Sequence, residues 1–187
     1  ISWLAIIAII YGALTALAFA PAAALADQPL QVTIVEPPMP DRDNRVSLNP
    51  LGALIGLGSF TYERALGDRV GLTLSPSFMY LGFSENKLYG AGFGVGAAFY
   101  ITGTAPEGFR ASIDAAPGFV TAESSKSDAT AFMFNGRAML GYNWVWHSGF
   151  TLGLNAGIQY FHMGLEDADI SLNGVLPVLD FNLGFVF

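Results

Sequence analysis

The chain of 187 residues has room for one domain with or without a targeting segment, and its net charge of -7, with only eight Lys and Arg, argues against a nucleic-acid partner. At 52% hydrophobic and 12% charged residues it is too apolar for an ordinary soluble domain. It has no cysteine, which excludes disulfides, thiolate metal sites and cysteine nucleophiles. After residue 26 no apolar run reaches the ~18–20 residues that a membrane-spanning helix needs. The apolar residues are instead spread along the sequence in alternation with polar or small ones.

The first 26 residues carry no charge and end in A-A-A-L-A, with Ala24 and Ala26 at the small-residue positions of a signal-peptidase site. We expect a secretory signal peptide that is cleaved after Ala26. Because the stretch 1–20 is almost wholly apolar, a retained helix in the inner membrane or against a partner is the alternative. Residues 27–45 contain four prolines and several charges, and this composition predicts an extended periplasmic arm.

From Val46 onward apolar and polar residues alternate with the period of two that is typical of β-strands. The first two predicted strands, 46–54 and 57–66, are the least distinct, and glycines between them indicate a bend. Five further strands are predicted at 70–83, 88–101, 129–146, 151–160 and 176–187. One more begins at residue 109 and ends at the loop 124–128. Each of the eight is long enough to cross a bilayer at a tilt.

The links between the predicted strands fall into two groups. Short turns at 67–69, 102–108 and 147–149 are predicted at one end, and the loops of the other end lie near 55–58, 84–87, 124–128 and 164–174. In the fourth strand Gly90, Gly92, Gly94 and Gly96 share one face. We expect them to leave room for a large neighbour across the lumen or to allow a sharp curve of the wall.

The last stretch shows the alternation most clearly, because large apolar residues occupy every second position at Leu179, Phe181, Leu183, Phe185 and Phe187. Asp180 and Asn182 lie between them. This pattern resembles the closing strand of bacterial outer-membrane β-barrels, which often ends in a carboxy-terminal Phe. The resemblance implies that the barrel-assembly machinery recognises Leu183, Phe185 and Phe187. An edge strand of a soluble sandwich is the alternative, but its outward apolar residues would need a cover.

The whole segment 46–187 resembles small barrels of the OmpA and OmpX type. The N-P-L at 49–51 and T-Y-E-R at 61–64 also resemble the opening of an uncharacterised family of small outer-membrane proteins. Every amide within hydrocarbon must be paired, so strands with lipid-facing apolar sides need a sheet without edges. We therefore predict an all-β fold, an eight-stranded antiparallel transmembrane β-barrel of the bacterial outer membrane. Its interior is expected to be filled by side chains.

Two groups of residues are predicted to have structural roles in this barrel. The charged residues on the predicted inward faces are expected to pair as a lumen charge network, because an unpaired charge there is costly: Glu63, Arg110, Asp114, Arg137 and Asp180. A gated or proton-conducting path along them is the alternative. Tyr142, Trp144 and Trp146 fit an aromatic girdle at the lipid head groups.

We expect no catalytic site, no cofactor and no metal site, although two alternatives exist near one rim. His162 lies close in sequence to Glu166, Asp167 and Ser171, which permits a hydrolase triad acting on lipid A. His147 precedes Ser148 but falls on a turn at the opposite end. Glu166, Asp167 and Asp169 permit a divalent cation, but their spacing lacks the twelve-residue calcium-loop pattern.

Together these features favour a non-enzymatic outer-membrane barrel that acts in envelope structure or as an anchor. Its expected partners are outer-membrane lipid and lipopolysaccharide, the assembly machinery, and another envelope protein or a second copy of the chain. A lipid A-modifying enzyme and a narrow ion channel are the alternatives.

Overall fold

The computed structural model describes residues 42–83, 86–124, 127–165 and 171–187. The predicted signal segment 1–26, and the predicted arm up to residue 41, lie outside these ranges. Among the residues that are described, no helix is long and apolar enough to cross a bilayer.

Eight strands and one short helix make up the described chain. They are β1 (Asn44–Leu48), α1 (Pro50–Leu54), β2 (Leu57–Ala65), β3 (Val70–Phe83), β4 (Asn86–Tyr100), β5 (Gly108–Ser124), β6 (Ser127–Val145), β7 (Phe150–Leu165) and β8 (Ser171–Val186). Each strand pairs antiparallel with its neighbours in sequence, and β1 pairs with β8. The sheet is therefore a closed barrel, and the predicted all-β, eight-stranded antiparallel fold is confirmed.

The strand register has a stagger that sets the width of the barrel. Val186 of β8 pairs with Arg45 of β1, and following the paired residues once around the wall leads back to β8 at Leu176, ten residues away. A stagger of this size in eight strands implies a tilt of roughly 35–45° and an interior just wide enough for side chains to fill.

The two ends of the barrel differ, and we call the end with Asn44 and Phe187 the base and the opposite end the rim. At the base the short connections 66–69, 101–107 and 146–149 join the strands. The connection 101–107 folds under the lumen, where Ala105 and Pro106 are buried and the Ala105 N–H donates to the Asp68 carbonyl at 2.9 Å. The base is therefore covered by the chain itself.

Side chains alternate between the lumen and the exterior along every long strand. On the exterior, large apolar residues remain at least half exposed on several strands, among them Phe93, Ile113, Leu140 and Ile158. The barrel thus turns its apolar side chains outward.

The predicted strand 46–54 is wrong in its second half, where Pro50–Leu54 forms the helical turn α1. Asn49 caps this turn, because its side-chain oxygen accepts a hydrogen bond from the Gly52 N–H at 2.8 Å, and Pro50 occupies the first helical position. The strand also begins two residues earlier than expected, at Asn44 instead of Val46. This earlier start brings Arg45 into the wall.

The strands beside the rim run further than predicted. β7 continues to Leu165 and β8 begins at Ser171 instead of Leu176, because the ladder between them extends to the pair Gly164 and Ser171. Three of the four predicted rim loops are therefore shorter than expected, since only residues 84–85, 125–126 and 166–170 remain between the strands, outside the described part of the chain. The fourth, near 55–58, covers the two residues after α1 and the start of β2.

Candidate functional site

The base half of the lumen is organised around the carboxylate of Glu63, which is fully buried. Its Oε2 lies 2.8 Å from Arg45 Nη2 and 3.1 Å from Arg110 Nη1, and its Oε1 accepts a 2.6 Å hydrogen bond from the Tyr100 hydroxyl. Asn143 Nδ2 donates in turn to the Tyr100 oxygen at 3.1 Å. Both arginines are also buried, so this is a desolvated charge cluster and not a surface ion pair.

A second group of polar side chains surrounds the carboxylate of Asp180. Asn49 Nδ2 donates to its Oδ1 at 2.8 Å, and the side-chain amides of Asn155 and Asn182 donate to its Oδ2. Asn155 connects the two groups, because its Oδ1 also accepts from Arg110 Nε at 3.3 Å. The polar side chains of seven strands, all except β3, and of the residue before α1 therefore form one continuous network.

Asp114 and Arg137 lie near mid-height of the lumen and face each other across β5 and β6. Arg137 Nε donates to Asp114 Oδ1 at 2.7 Å. A cavity of about 30 Å³ lies between this pair and the network toward the base, and it is lined in part by Arg45, whose Nε has no hydrogen-bond partner within the described chain. Such a volume holds about one water molecule, so the base half is filled by side chains.

The five charged residues predicted for the lumen all lie inside the barrel, in two separate clusters. Glu63 and Arg110 belong to the base cluster, Asp114 and Arg137 form the mid-height pair, and Asp180 is bound by amides. Sequence reasoning missed Arg45, because the predicted barrel began at Val46, the residue that follows it. Extending the alternation backward from Ser47 would have found it. With Arg45 the described strands place three acids and three bases in the lumen, and the formal charges of these six residues sum to zero.

Inward glycines provide the space for these large polar groups. A Cβ at Gly71 would lie 2.3 Å from Glu63 Oε1, and one at Gly141 would lie 2.3 Å from Asn155 Oδ1. A Cβ at Gly153 would meet Asn143 Oδ1 at 2.7 Å. The predicted glycine stripe at 90–96 behaves differently, since added Cβ atoms there meet chiefly the neighbouring strands and no large side chain across the lumen.

The rim half of the lumen has a different chemical character. Its inward positions are small or apolar, including Met79, Val120, Met133, Phe161, Leu176 and Val178. The polar contact there is neutral, a 3.0 Å hydrogen bond from Gln159 to Asn135. Of the described residues, no ionisable side chain points into this half. The Asp114 and Arg137 pair marks the boundary between this half and the base half.

The predicted girdle residues lie toward the base on β6 and the turn after it. Tyr142 and Trp144 place their ring centroids 4.7 Å apart, and Trp146 packs against Phe150 at 5.4 Å. Trp144 and Trp146 are exposed on the exterior.

Nearer the rim on the same side of the exterior, the wall has an apolar hollow of about 560 Å³. It lies where β4 to β7 have outward alanines between larger residues, at Ala97, Ala111, Ala138 and Ala156.

The predicted assembly signal lies on the strand that closes the barrel. The N–H of Phe187 donates to the Asn44 carbonyl at 2.9 Å, and the Asn44 N–H donates back to the Phe187 carbonyl at 3.2 Å. Phe185 and Phe187 are exposed on the exterior, and Leu183 pairs with Leu48 of β1. The last residue therefore fixes the junction between the two ends of the described sheet.

The alternative catalytic and metal residues are only partly within the described chain. His162 lies on the outward face of β7 near the rim, between Phe134 and Asn173 on the adjacent strands. Glu166, Asp167 and Asp169 lie outside the described residues, as does the side chain of Ser171. His147 is exposed in a base turn. Within the described ranges no cluster of His, Asp or Glu has the arrangement of a metal site.

No protein-family model matches this sequence, and no curated protein matches it at a significant level.

Proposed function

We propose that this chain is an integral barrel of the bacterial outer membrane that is non-enzymatic, has a sealed base, and serves envelope structure or anchors another envelope component. The observation that carries the proposal is the inversion of an ordinary soluble fold. Large apolar side chains are exposed around a closed sheet, while a charge cluster with Glu63 at 0% exposure fills the interior. Hydrocarbon outside the wall accounts for both features.

The filled base favours a structural role for the barrel and argues against a channel. The space around the buried charges is about 30 Å³, and the 101–107 connection covers the base beneath it. The six charges that the described strands place in the lumen balance one another, so these residues need no counter-ion from solution. A sealed wall of this kind has lipid and lipopolysaccharide as its immediate partners, and its insertion requires the barrel-assembly machinery.

The hollow on the outer wall supports a role in binding another envelope protein. Its volume of about 560 Å³ lies between outward alanines, so a ridge of larger side chains on a neighbouring barrel or helix fits there. Contact in the membrane plane gives this chain an anchoring function without large rim loops.

Replacement of an outward residue by arginine tests the membrane placement. Ile113 is 66% exposed on the exterior near mid-height. In a bilayer, Ile113→Arg is expected to lower the free energy of unfolding by about 2–4 kcal/mol. The control Leu66→Arg, in a base turn, is expected to change it by at most about 1 kcal/mol.

The measurement is urea unfolding in phospholipid vesicles, combined with recovery in the outer-membrane fraction and a heat-dependent gel shift. Equal effects of the two arginines, together with recovery in the soluble fraction, would refute the proposal. Single-channel recording of the wild-type barrel is expected to show no current, and a steady open conductance would favour the channel alternative.

A further inference from the structure

The apolar hollow on the outer wall follows two adjacent rows of paired residues. One row that lines it consists of Val70, Phe99, Ala111, Leu140 and Ala156. In the next row Ala97 and Ala138 stand on either side of Ile113. Each strand from β3 to β7 is paired with both of its neighbours, so the floor of the hollow is a continuous sheet that lipid can cover.

The first of these rows rises from the base of the barrel toward mid-height. Val70 is the first residue of β3 at the base, whereas Ala156 is the seventh residue of β7. Six residues of strand correspond to about 20 Å, and at the tilt of roughly 35–45° the rise is about 15 Å in height. The hydrocarbon core of a bilayer is about 30 Å thick. With head groups at the level of the base aromatic residues, the hollow therefore extends over the depth of one leaflet.

The size and the surface of the hollow suit one hydrocarbon chain. Its volume of about 560 Å³ lies within the range of ~300–1,000 Å³ that is usual for small-molecule sites. The side chains that border it are large, apolar and at least half exposed, namely Phe99, Ile113, Leu140 and Ile158. If lipid chains only bridged the hollow, its lining would lose dispersion contacts. A chain that lies along the hollow is therefore favoured.

The lower end of the hollow, beside Val70, has exposed charges of both signs. Arg69 precedes Val70, and its Nη1 donates to the main-chain carbonyls of Tyr100 at 3.2 Å and Ile101 at 2.8 Å. These bonds hold the guanidinium at the edge of the base without neutralising its charge. Asp68 lies next to Arg69 in the same turn and is also exposed.

A neighbouring cation and anion complement a zwitterionic head group. A guanidinium binds a phosphate diester through paired N–H groups, and a carboxylate accepts hydrogen bonds from a primary ammonium. An anionic head group offers no partner to Asp68, and phosphocholine has no N–H on its nitrogen. The lower end of the hollow therefore favours phosphoethanolamine among the phospholipid head groups.

We propose that the hollow binds one phospholipid of the phosphatidylethanolamine class. Its phosphate contacts Arg69, its ammonium contacts Asp68, and one acyl chain follows the hollow toward mid-height. This inference rests on the proposed function, because only a barrel in a membrane has phospholipid at its outer wall. A neighbouring protein that docks on the hollow has to displace this lipid.

Photo-crosslinking with the full chain tests the proposal. Benzoylphenylalanine replaces Phe99, which lines the hollow, and in a second protein it replaces Phe119. Phe119 is the matched control, because both side chains are 54% exposed and Phe119 lies outside the hollow. Each protein is placed in vesicles with equal amounts of synthetic phosphatidylethanolamine, phosphatidylglycerol and phosphatidylcholine, irradiated, and analysed by intact and peptide mass spectrometry.

Phospholipid adducts are expected at both positions, but with different compositions. At position 119 they are expected to follow the composition of the vesicle. At position 99 the ratio of phosphatidylethanolamine to phosphatidylglycerol adducts is expected to be about threefold higher than at 119, as for one exposed ion pair.

Two further substitutions test the path of the acyl chain. Ala111→Leu fills the hollow, whereas Ala115→Leu adds the same side chain to the outer face of β5 outside it. The first is expected to lower the ratio at position 99 to that at 119, and the second is expected to leave it unchanged. Because both side chains point outward, the heat-dependent gel shift of the folded barrel is expected to remain. A ratio that survives Ala111→Leu would overturn the proposal.

A pair of double variants tests the head-group contacts. Asp68→Asn with Arg69→Gln removes both charges at the lower end of the hollow and is expected to abolish the difference between the two positions. Asp43→Asn with Arg64→Gln is the control, because these exposed residues at the same end of the barrel pair with each other. The control is expected to leave the ratio at position 99 unchanged.

The outcomes separate this inference from the proposed function. Lipid adducts with equal ratios at positions 99 and 119 would overturn the phospholipid site and leave the membrane barrel standing. Enrichment of phosphatidylglycerol at 99 would also overturn the site, as would a peptide cross-link there from residues 1–41 or from a second copy. Absence of lipid adducts at both positions, with protein that stays in solution when the vesicles are floated, would overturn the proposed function together with the inference.

Discussion

Arg45 and Glu63 stand directly opposite each other on β1 and β2, and a 2.8 Å ion pair joins their side chains inside the barrel. Arg110 reaches the same carboxylate oxygen from β5 at 3.1 Å. One acid therefore neutralises two cations, Arg45 from the adjacent strand and Arg110 from across the lumen, and the contact with Arg110 depends on the curvature of the sheet into a barrel.

Removal of this acid is expected to cost more than removal of either cation. Glu63→Gln leaves two buried guanidinium groups side by side and is expected to lower the free energy of unfolding by about 3–5 kcal/mol. Arg45→Met is expected to cost less, because Arg110 still pairs with the carboxylate. Urea unfolding in vesicles measures both variants. If both variants lost the same free energy of unfolding, Arg45 alone would stabilise the Glu63 carboxylate and Arg110 would contribute nothing.

Gly71 is expected to tolerate no side chain. The Cβ of Gly71→Ala would lie 2.3 Å from the Glu63 Oε1, so we expect a loss of about 2 kcal/mol in stability. Gly136→Ala is the matched control, because its nearest neighbour atom is 3.7 Å away. Its effect is expected to stay within about 0.5 kcal/mol. Comparable melting temperatures for both variants would contradict the close packing around Glu63.

The ion pair of Asp114 and Arg137 is expected to stabilise the barrel and not to gate a path through the lumen. Arg137→Met removes the 2.7 Å contact with Asp114 and is expected to cost about 2 kcal/mol of stability with no new single-channel current. Arg64→Met breaks an exposed pair with Asp43 instead and is expected to cost less than about 1 kcal/mol. A current in the first variant alone would support a gated path.

We expect Phe187 to have two separable roles, one in closing the sheet and one as an assembly signal. Phe187→Ala keeps the backbone hydrogen bonds to Asn44 and removes only the exposed ring, whereas deletion of the residue removes both. If the ring is an assembly signal, both changes reduce the heat-modifiable barrel in cells, and only the deletion lowers the urea midpoint of the purified protein. A normal cellular yield of the Phe187→Ala barrel would remove the assembly role.

The alternative function, a lipid A hydrolase, requires His162 as a catalytic residue. His162 lies on the outward face of β7 near the rim. His162→Ala is expected to leave the mass spectrum of lipid A unchanged in cells that produce the protein. His147→Ala, at the base, is the control. A lipid A species that disappears only with the first variant would establish the hydrolase reading.

The number of strands, their faces and the inward charges were accessible from sequence, because alternation with a period of two records which side of a wall each residue occupies. The helical turn α1 was missed, although Asn49 followed by Pro50 has the form of a helix start. The contacts of the lumen were not accessible. Glu63 and Arg110 meet only because of the ten-residue stagger, and nothing local in the sequence encodes that stagger.

The junction of β1 and β8 has the fewest paired residues of any in the wall, four against seventeen between β5 and β6. Thermal fluctuation opens the weakest ladder first. The lifetime of the closed cylinder therefore depends on the two strands that are farthest apart along the chain. We therefore expect unfolding of the barrel to begin at the wall beside β8.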